Sequence, residues 1–125
     1  MITGIGLDLI ELDRIKKAND RSDGRLWDRI LSADEKKEAH NDPIAYLAGR
    51  FAAKEAGVKA LGTGINQGIG WRDVRILNQD DGAPTISFVG HAHERFLALN
   101  ADTAHVTITH AKTYAAAVVI LEKRN

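Results

Sequence analysis

Residues 50–64 read RFAAKEAGVKALGTG, and their period sets the architecture. Wound at 100° per residue, the run from Ile44 brings Ile44, Leu47, Phe51, Val58 and Leu61 onto one stripe, which predicts a long helix ending near Leu61. Asn41-Asp42-Pro43 restarts the chain into it, with Pro43 in the first turn, where a missing N–H does no harm. The glycine-rich run 62–70, GTGINQGIG, predicts a loop. Lys54 falls inside the apolar stripe, with Glu55 and Lys59 at its edge. A charge on a partly dry surface costs free energy unless it is paired. Lys54 has two readings: a snorkelling side chain whose stem covers apolar surface, or one of three cations, with Arg50 and Lys59, that line a site for an anion. Gly62 and Gly64 would let the backbone approach a phosphate closely, although glycine after a helix also serves as a cap.

Outward from this helix, residues 2–10, ITGIGLDLI, alternate as a strand, with Ile5, Leu7 and Leu9 on one face and Gly4, Gly6 and Asp8 on the other. Asp8 thus stands on a face cleared of bulk. Residues 11–19 and 25–31 read as helices, and Ser32-Ala-Asp-Glu35 as a capping box that opens a further short one. WRDVRIL (71–77) and TISFV (85–89) predict strands joined across NQDDGAP, followed by a short helix in HAHERFLALN. HVTITH (105–110) and YAAAVVIL (114–121) predict a hairpin across Ala111-Lys112-Thr113. Helices early and strands late predict one α+β domain over residues 1–125, its largely antiparallel sheet packed on the long central helix.

Composition narrows the classes of function. Seventeen basic residues offset seventeen acidic ones, so net charge argues against bulk nucleic-acid binding. The absence of cysteine excludes disulfides, thiolate metal sites and a cysteine nucleophile. The opening run MITGIGLDLIELDRIKK has no basic leader and carries charges early, which predicts neither signal peptide nor membrane span and a cytoplasmic address.

Asp8 and Glu55 together make a hard oxygen site, for which Mg²⁺ is the preferred ion because it keeps waters and recruits phosphate oxygens. The plainer alternatives are a strand-end aspartate and an i,i+4 pair between Glu55 and Lys59. His105 and His110 lie on one strand at an odd offset, so they face opposite sides and are poor co-ligands of one metal. His91 and His93 sit at a helix start and need no special explanation.

The blocks GIGLDLIEL (4–12), GRFAAKEAGVKALGTG (49–64), WRDVRI (71–76), GAP (82–84) and HVTITHAKTYAAAVVI (105–120) closely resemble holo-acyl-carrier-protein synthase, the short bacterial type of 4′-phosphopantetheinyl transferase. The resemblance spans nearly the whole chain, in the family's order. It implies the phosphopantetheinyl transferase fold and a Mg²⁺-dependent enzyme of fatty acid biosynthesis. Such an enzyme moves 4′-phosphopantetheine from coenzyme A to a serine of apo-acyl carrier protein and releases adenosine 3′,5′-bisphosphate. It further implies that Asp8 and Glu55 hold the metal, that Lys59 meets the pyrophosphate, and that Arg50 and His110 contact phosphates of coenzyme A. Arg14, Arg21, Arg25, Leu26 and Arg29 would receive the acidic recognition helix of the carrier, and the assembly would be a homotrimer with active sites between subunits. Arg21, Arg25 and Arg29 recur at the four-residue spacing that would align them if one helix carried all three.

Three departures from the family pattern involve four positions. Gly57 stands where a bulky residue is frequent, Ala83 where lysine is common, and Thr107 and Thr109 where serine often occurs. Two other readings use parts of the same residue set: a Mg²⁺-dependent phosphohydrolase, and a non-catalytic module that binds a nucleotide or an acidic protein.

Overall fold

The structure is a computed structural model that describes every residue except His40, Asn41, Asn66 and Gln67. The chain runs β1 (Ile2–Glu11), α1 (Leu12–Arg21), α2 (Arg25–Ile30), α3 (Ala33–Glu38) and α4 (Pro43–Ala60). A 3₁₀ turn (Trp71–Asp73) then leads to β2 (Val74–Asn78), β3 (Pro84–Phe88), α5 (Gly90–Ala98), β4 (Thr103–His110) and β5 (Tyr114–Glu122). The α+β expectation holds, but the strands divide between two antiparallel sheets, β1-β5-β4 and the β2-β3 hairpin. Helix α4 lies between them and against both.

Two glycines set how closely α4 approaches the larger sheet. A Cβ on Gly6 would come within 1.9 Å of the Ala56 carbonyl oxygen, and one on Gly4 within 2.3 Å of that of Ala60. Strand and helix backbones therefore touch, one helical turn for every two strand residues. The next residue on that face of β1 is Asp8, which is carried toward the preceding turn of α4. On the opposite face, Ile5, Leu7 and Leu9 stay 60–65% exposed.

The stripe expected on α4 gives way to burial on nearly every side: Leu47, Ala48, Ala52, Ala53, Ala56 and Val58 have no exposed surface. Small side chains permit it, because a helix enclosed by two sheets and two helices has no room for large ones all round. Gly57 belongs to this fit. A Cβ there would lie 3.2 Å from both Val74 Cγ1 and Ile86 Cδ1, so the β2-β3 hairpin sits where a bulkier side chain would stand.

Ser32 and Glu35 form the expected capping box, with Oγ accepting from Glu35 N–H and Oε1 accepting from Ser32 N–H. Asp42 caps α4 by accepting from Ala45 N–H, and Pro43 occupies its first turn; the expected restart at Asn41 lies outside the described residues. The β4-β5 hairpin forms as expected, with His110 opposite Ala115.

Two local expectations are corrected. Residues 71–73 form a 3₁₀ turn and not a strand start, because the Asp73 carboxylate accepts from Gly70 N–H at 2.9 Å and folds the segment back. Arg21, Arg25 and Arg29 do not lie along one helix. Asp23 and Gly24 take φ of 54° and 82°, which ends α1 and starts α2 on a new axis.

Candidate functional site

Lys59, in the last turn of α4, reaches back to β1 and donates to the Leu7 carbonyl at 3.0 Å and to Asp8 Oδ1 at 3.1 Å. Its ammonium is half exposed, whereas the Asp8 side chain is only 15% exposed. The second oxygen of Asp8, Oδ2, is buried and has no hydrogen-bond partner among the described residues. Such an atom is costly to leave unpaired.

Glu55 stands beside it. Burial pushes the Glu55 carboxyl above the ordinary glutamate range, the negative Asp8 pushes it further, and Lys59 opposes both. The two carboxylates, one with an unsatisfied oxygen, have the chemistry of a site for a hard cation. Among the described residues no cluster of three or more histidine, cysteine or acidic side chains could hold a metal. A two-carboxylate site suits Mg²⁺, which takes one or two protein carboxylates and completes its shell with water and phosphate oxygens. The i,i+4 alternative is not realised, since Lys59 bonds to Asp8 across the strand.

Lys54, expected on the anion-lining row, is corrected by the structure. Its side chain has no exposed surface, and its ammonium donates to Glu35 Oε1 at 2.8 Å and to the carbonyls of Ile30 and Trp71 at 2.6 and 3.0 Å. An ammonium has three N–H bonds to give, and all are committed. Nothing remains for a phosphate.

Arg50 and His110 do meet. With Asp42, Ala45, Tyr46, Gly49 and Ile108 they line a cleft of about 320 Å³. The Arg50 guanidinium lies 4.4 Å over the Tyr46 ring, donates to Asn78 Oδ1 at 2.8 Å, and stands 3.6 Å from Glu38 Oε1. Its Nε is buried without a hydrogen-bond partner among the described residues, so the cation keeps donor capacity next to the cleft. Tyr46, Glu38 and Asn78 were not singled out in the sequence. Tyr46 and Arg50 at i,i+4 carried a readable signal, whereas the approach of Glu38 and Asn78 is purely tertiary.

The cleft of Arg50 and His110 and the carboxylate pair are separate places on this chain. Arg50 and Glu55 are five positions apart on α4, about 140° around its axis. Gly62, at φ 77°, ends α4, while Arg95 Nε donates to the neighbouring Leu61 carbonyl at 2.8 Å; Gly62 is therefore a helix cap, and Gly64 follows in the loop. His105 bonds to Glu122 at 2.9 Å, away from the His110 cleft.

The arginines expected to dock a partner divide between two surfaces. Arg14, Arg21 and Leu26 line a cleft of about 230 Å³ floored by Ile10, Ile15 and Phe51, while Arg29 borders another with Trp71 and Arg72. Arg25 is exposed on α2 and lines neither. A cleft of about 490 Å³ beside α1 and the β4-β5 turn contains none of the candidate site residues.

A family model described as the 4′-phosphopantetheinyl transferase superfamily matches residues 4–119. The chain belongs to that superfamily. Within the superfamily, it is similar to the holo-[acyl-carrier-protein] synthase of Nitratidesulfovibrio vulgaris, 51% identical over 124 residues that span 98% of this chain and 99% of that one. Among solved structures, the holo-[acyl-carrier-protein] synthase of Neisseria meningitidis superposes with a TM-score of 0.90 at 32% identity, covering 98% of this chain and all of that one. The Helicobacter pylori synthase in complex with coenzyme A superposes with a TM-score of 0.83 at 31% identity, covering 94% and 99%. The phosphopantetheinyl transferase fold expected from the sequence blocks is the fold observed.

Proposed function

We propose that this protein transfers 4′-phosphopantetheine from coenzyme A to a serine of apo-acyl carrier protein. The observation that carries the reading is the unpartnered, buried Asp8 Oδ2 beside Glu55 and Lys59, in a chain that belongs to this superfamily. Asp8 and Glu55 would hold Mg²⁺. When bound, the ion supplies positive charge to the pyrophosphate oxygens.

The chain's own groups account for the rest. Arg50, with its free donor, and His110 bind phosphate oxygens of coenzyme A. Lys59 is exposed enough to exchange its bond to Asp8 for one to the pyrophosphate, where it offsets charge on the departing bisphosphate. The serine Oγ attacks the phosphorus next to pantetheine in line. The new Oγ–P bond forms as the P–O bond to adenosine 3′,5′-bisphosphate breaks. The serine hydroxyl proton passes to Glu55 or to a water that Glu55 orients.

Because Arg50 and Glu55 point about 140° apart, one coenzyme A is better served by Arg50 and His110 of one subunit and the carboxylates of a neighbour. The exposed strip of Ile5, Leu7 and Leu9 supports burial against further copies, and the family resemblance selects three. The carrier, an acidic protein, docks on the surface of Arg14, Arg21, Arg25, Leu26 and Arg29. Among the described residues no helix is long and apolar enough to cross a membrane. A cytoplasmic setting fits the cysteine-free chain.

The test is release of adenosine 3′,5′-bisphosphate from coenzyme A with and without apo-carrier. Release that requires the carrier, together with a carrier gaining the phosphopantetheine mass, is expected. Equal release in both reactions would mark a phosphohydrolase, and binding without turnover a non-catalytic module.

A further inference from the structure

Helix α2 cannot hold its own place. It has six residues, too few to be stable alone, and its N-cap is Gly24, which offers no capping side chain. Ser22 Oγ and Asn19 Oδ1 hold its beginning by accepting from the N–H groups of Leu26 and Trp27, at 3.0 Å each. Its last carbonyl, that of Ile30, is held by the Lys54 ammonium at 2.6 Å.

The same ammonium also grips Trp71 of the 3₁₀ turn and Glu35 of α3. Glu35 in turn accepts from the backbone N–H of Ile76 in β2 at 2.8 Å, while its own carbonyl accepts from the Tyr46 hydroxyl of α4 at 2.5 Å. Neither charged side chain has any exposed surface. A buried ion pair is often no more stabilising than apolar side chains of the same volume, so what distinguishes this one is the arrangement it specifies. It joins the end of α2 to the residue directly before Glu55.

We propose that the buried Lys54–Glu35 pair is a positioning device that sets α2, and with it part of the carrier-docking surface, against the catalytic helix. Neither side chain touches substrate. This rests on the reading that α2, through Arg25 and Arg29, receives the carrier.

The experiment compares the double variant Lys54→Met/Glu35→Gln, which keeps side-chain volume and leaves no lone buried charge, with Arg25→Glu and the unaltered protein. KM for apo-carrier, KM for coenzyme A and amide hydrogen exchange over residues 25–31 are measured on each. In the double variant, KM for the carrier should rise by about tenfold, with KM for coenzyme A within about twofold, and residues 25–31 should exchange faster. A fall in kcat with both KM values unmoved would overturn the proposal, since the pair would then govern only the folded fraction. A double variant that does not fold would overturn it too, because the pair would be a requirement of the fold itself. An Arg25→Glu protein with unchanged carrier KM is a failure of the docking reading instead. A raised carrier KM there, beside an unchanged one in the double variant, is a failure of the pair's positioning role alone.

Discussion

Two lysines on one helix, Lys54 and Lys59, each meet a carboxylate, and they end in opposite conditions. Lys54 is buried with three acceptors on three N–H bonds, and its partner Glu35 is itself bonded to the backbone of Ser32 and Ile76. Burial pulls the Lys54 pKa below the ordinary lysine range, and Glu35 opposes that pull. Lys59 is half exposed, holds one oxygen of Asp8, and leaves the other without a partner among the described residues. A saturated ion pair holds backbone in place. An unsaturated one, with a second carboxylate close enough to feel its charge, keeps an acceptor to offer.

The largest effects come from breaking the two pairs in the same way. Lys54→Met leaves Glu35 as a lone buried charge and should cost about 3–5 kcal/mol in urea unfolding. Lys59→Met should cost clearly less stability than Lys54→Met, because the Lys59 end of its pair is half exposed, while lowering kcat by about a hundredfold or more. Comparable stability losses in the two variants would erase the distinction between them.

A smaller effect is expected where the carrier binds. Arg14→Glu should raise KM for apo-carrier well above any change in KM for coenzyme A. The difference should shrink as salt shortens the range of the field below roughly 8–10 Å. Equal changes for both substrates would remove Arg14 from the docking surface.

The smallest effect is on stability in the absence of metal, and its sign follows from Glu55. Its folded-state pKa is raised, so its contribution is fully favourable below the ordinary glutamate value and is lost as pH rises through the raised one. Ionised Glu55 therefore weakens the metal-free fold at neutral pH. Glu55→Gln should raise the metal-free Tm slightly at pH 7, and the gain should vanish when thermal unfolding is repeated in acid. A lowered Tm at neutral pH would contradict the repulsion from Asp8.

Much of this was legible in residue order, where local chemistry decides. The alternation in β1 placed Gly4, Gly6 and Asp8 on one face, and the Ser32–Glu35 box and the last hairpin each carried their own signals. Lys54 was visibly out of place in an apolar stripe, but its partner lies nineteen positions earlier in another helix and leaves no periodic trace. The stripe itself was only part of the matter, because a helix enclosed on nearly all sides by small residues has a weak apolar period. The four-residue spacing of Arg21, Arg25 and Arg29 suggested one aligned face. The Ser22-Asp23-Gly24 turn between them carried the competing signal and prevailed.

The account stands or falls on Asp8, whose exchange for asparagine keeps the shape and removes the charge. In Asp8→Asn, release of adenosine 3′,5′-bisphosphate from coenzyme A and apo-carrier at saturating Mg²⁺ should fall by about a thousandfold, at a Tm no lower than that of the unaltered protein. Turnover within about tenfold of the unaltered protein would contradict the assignment of the unpaired oxygen to the reaction.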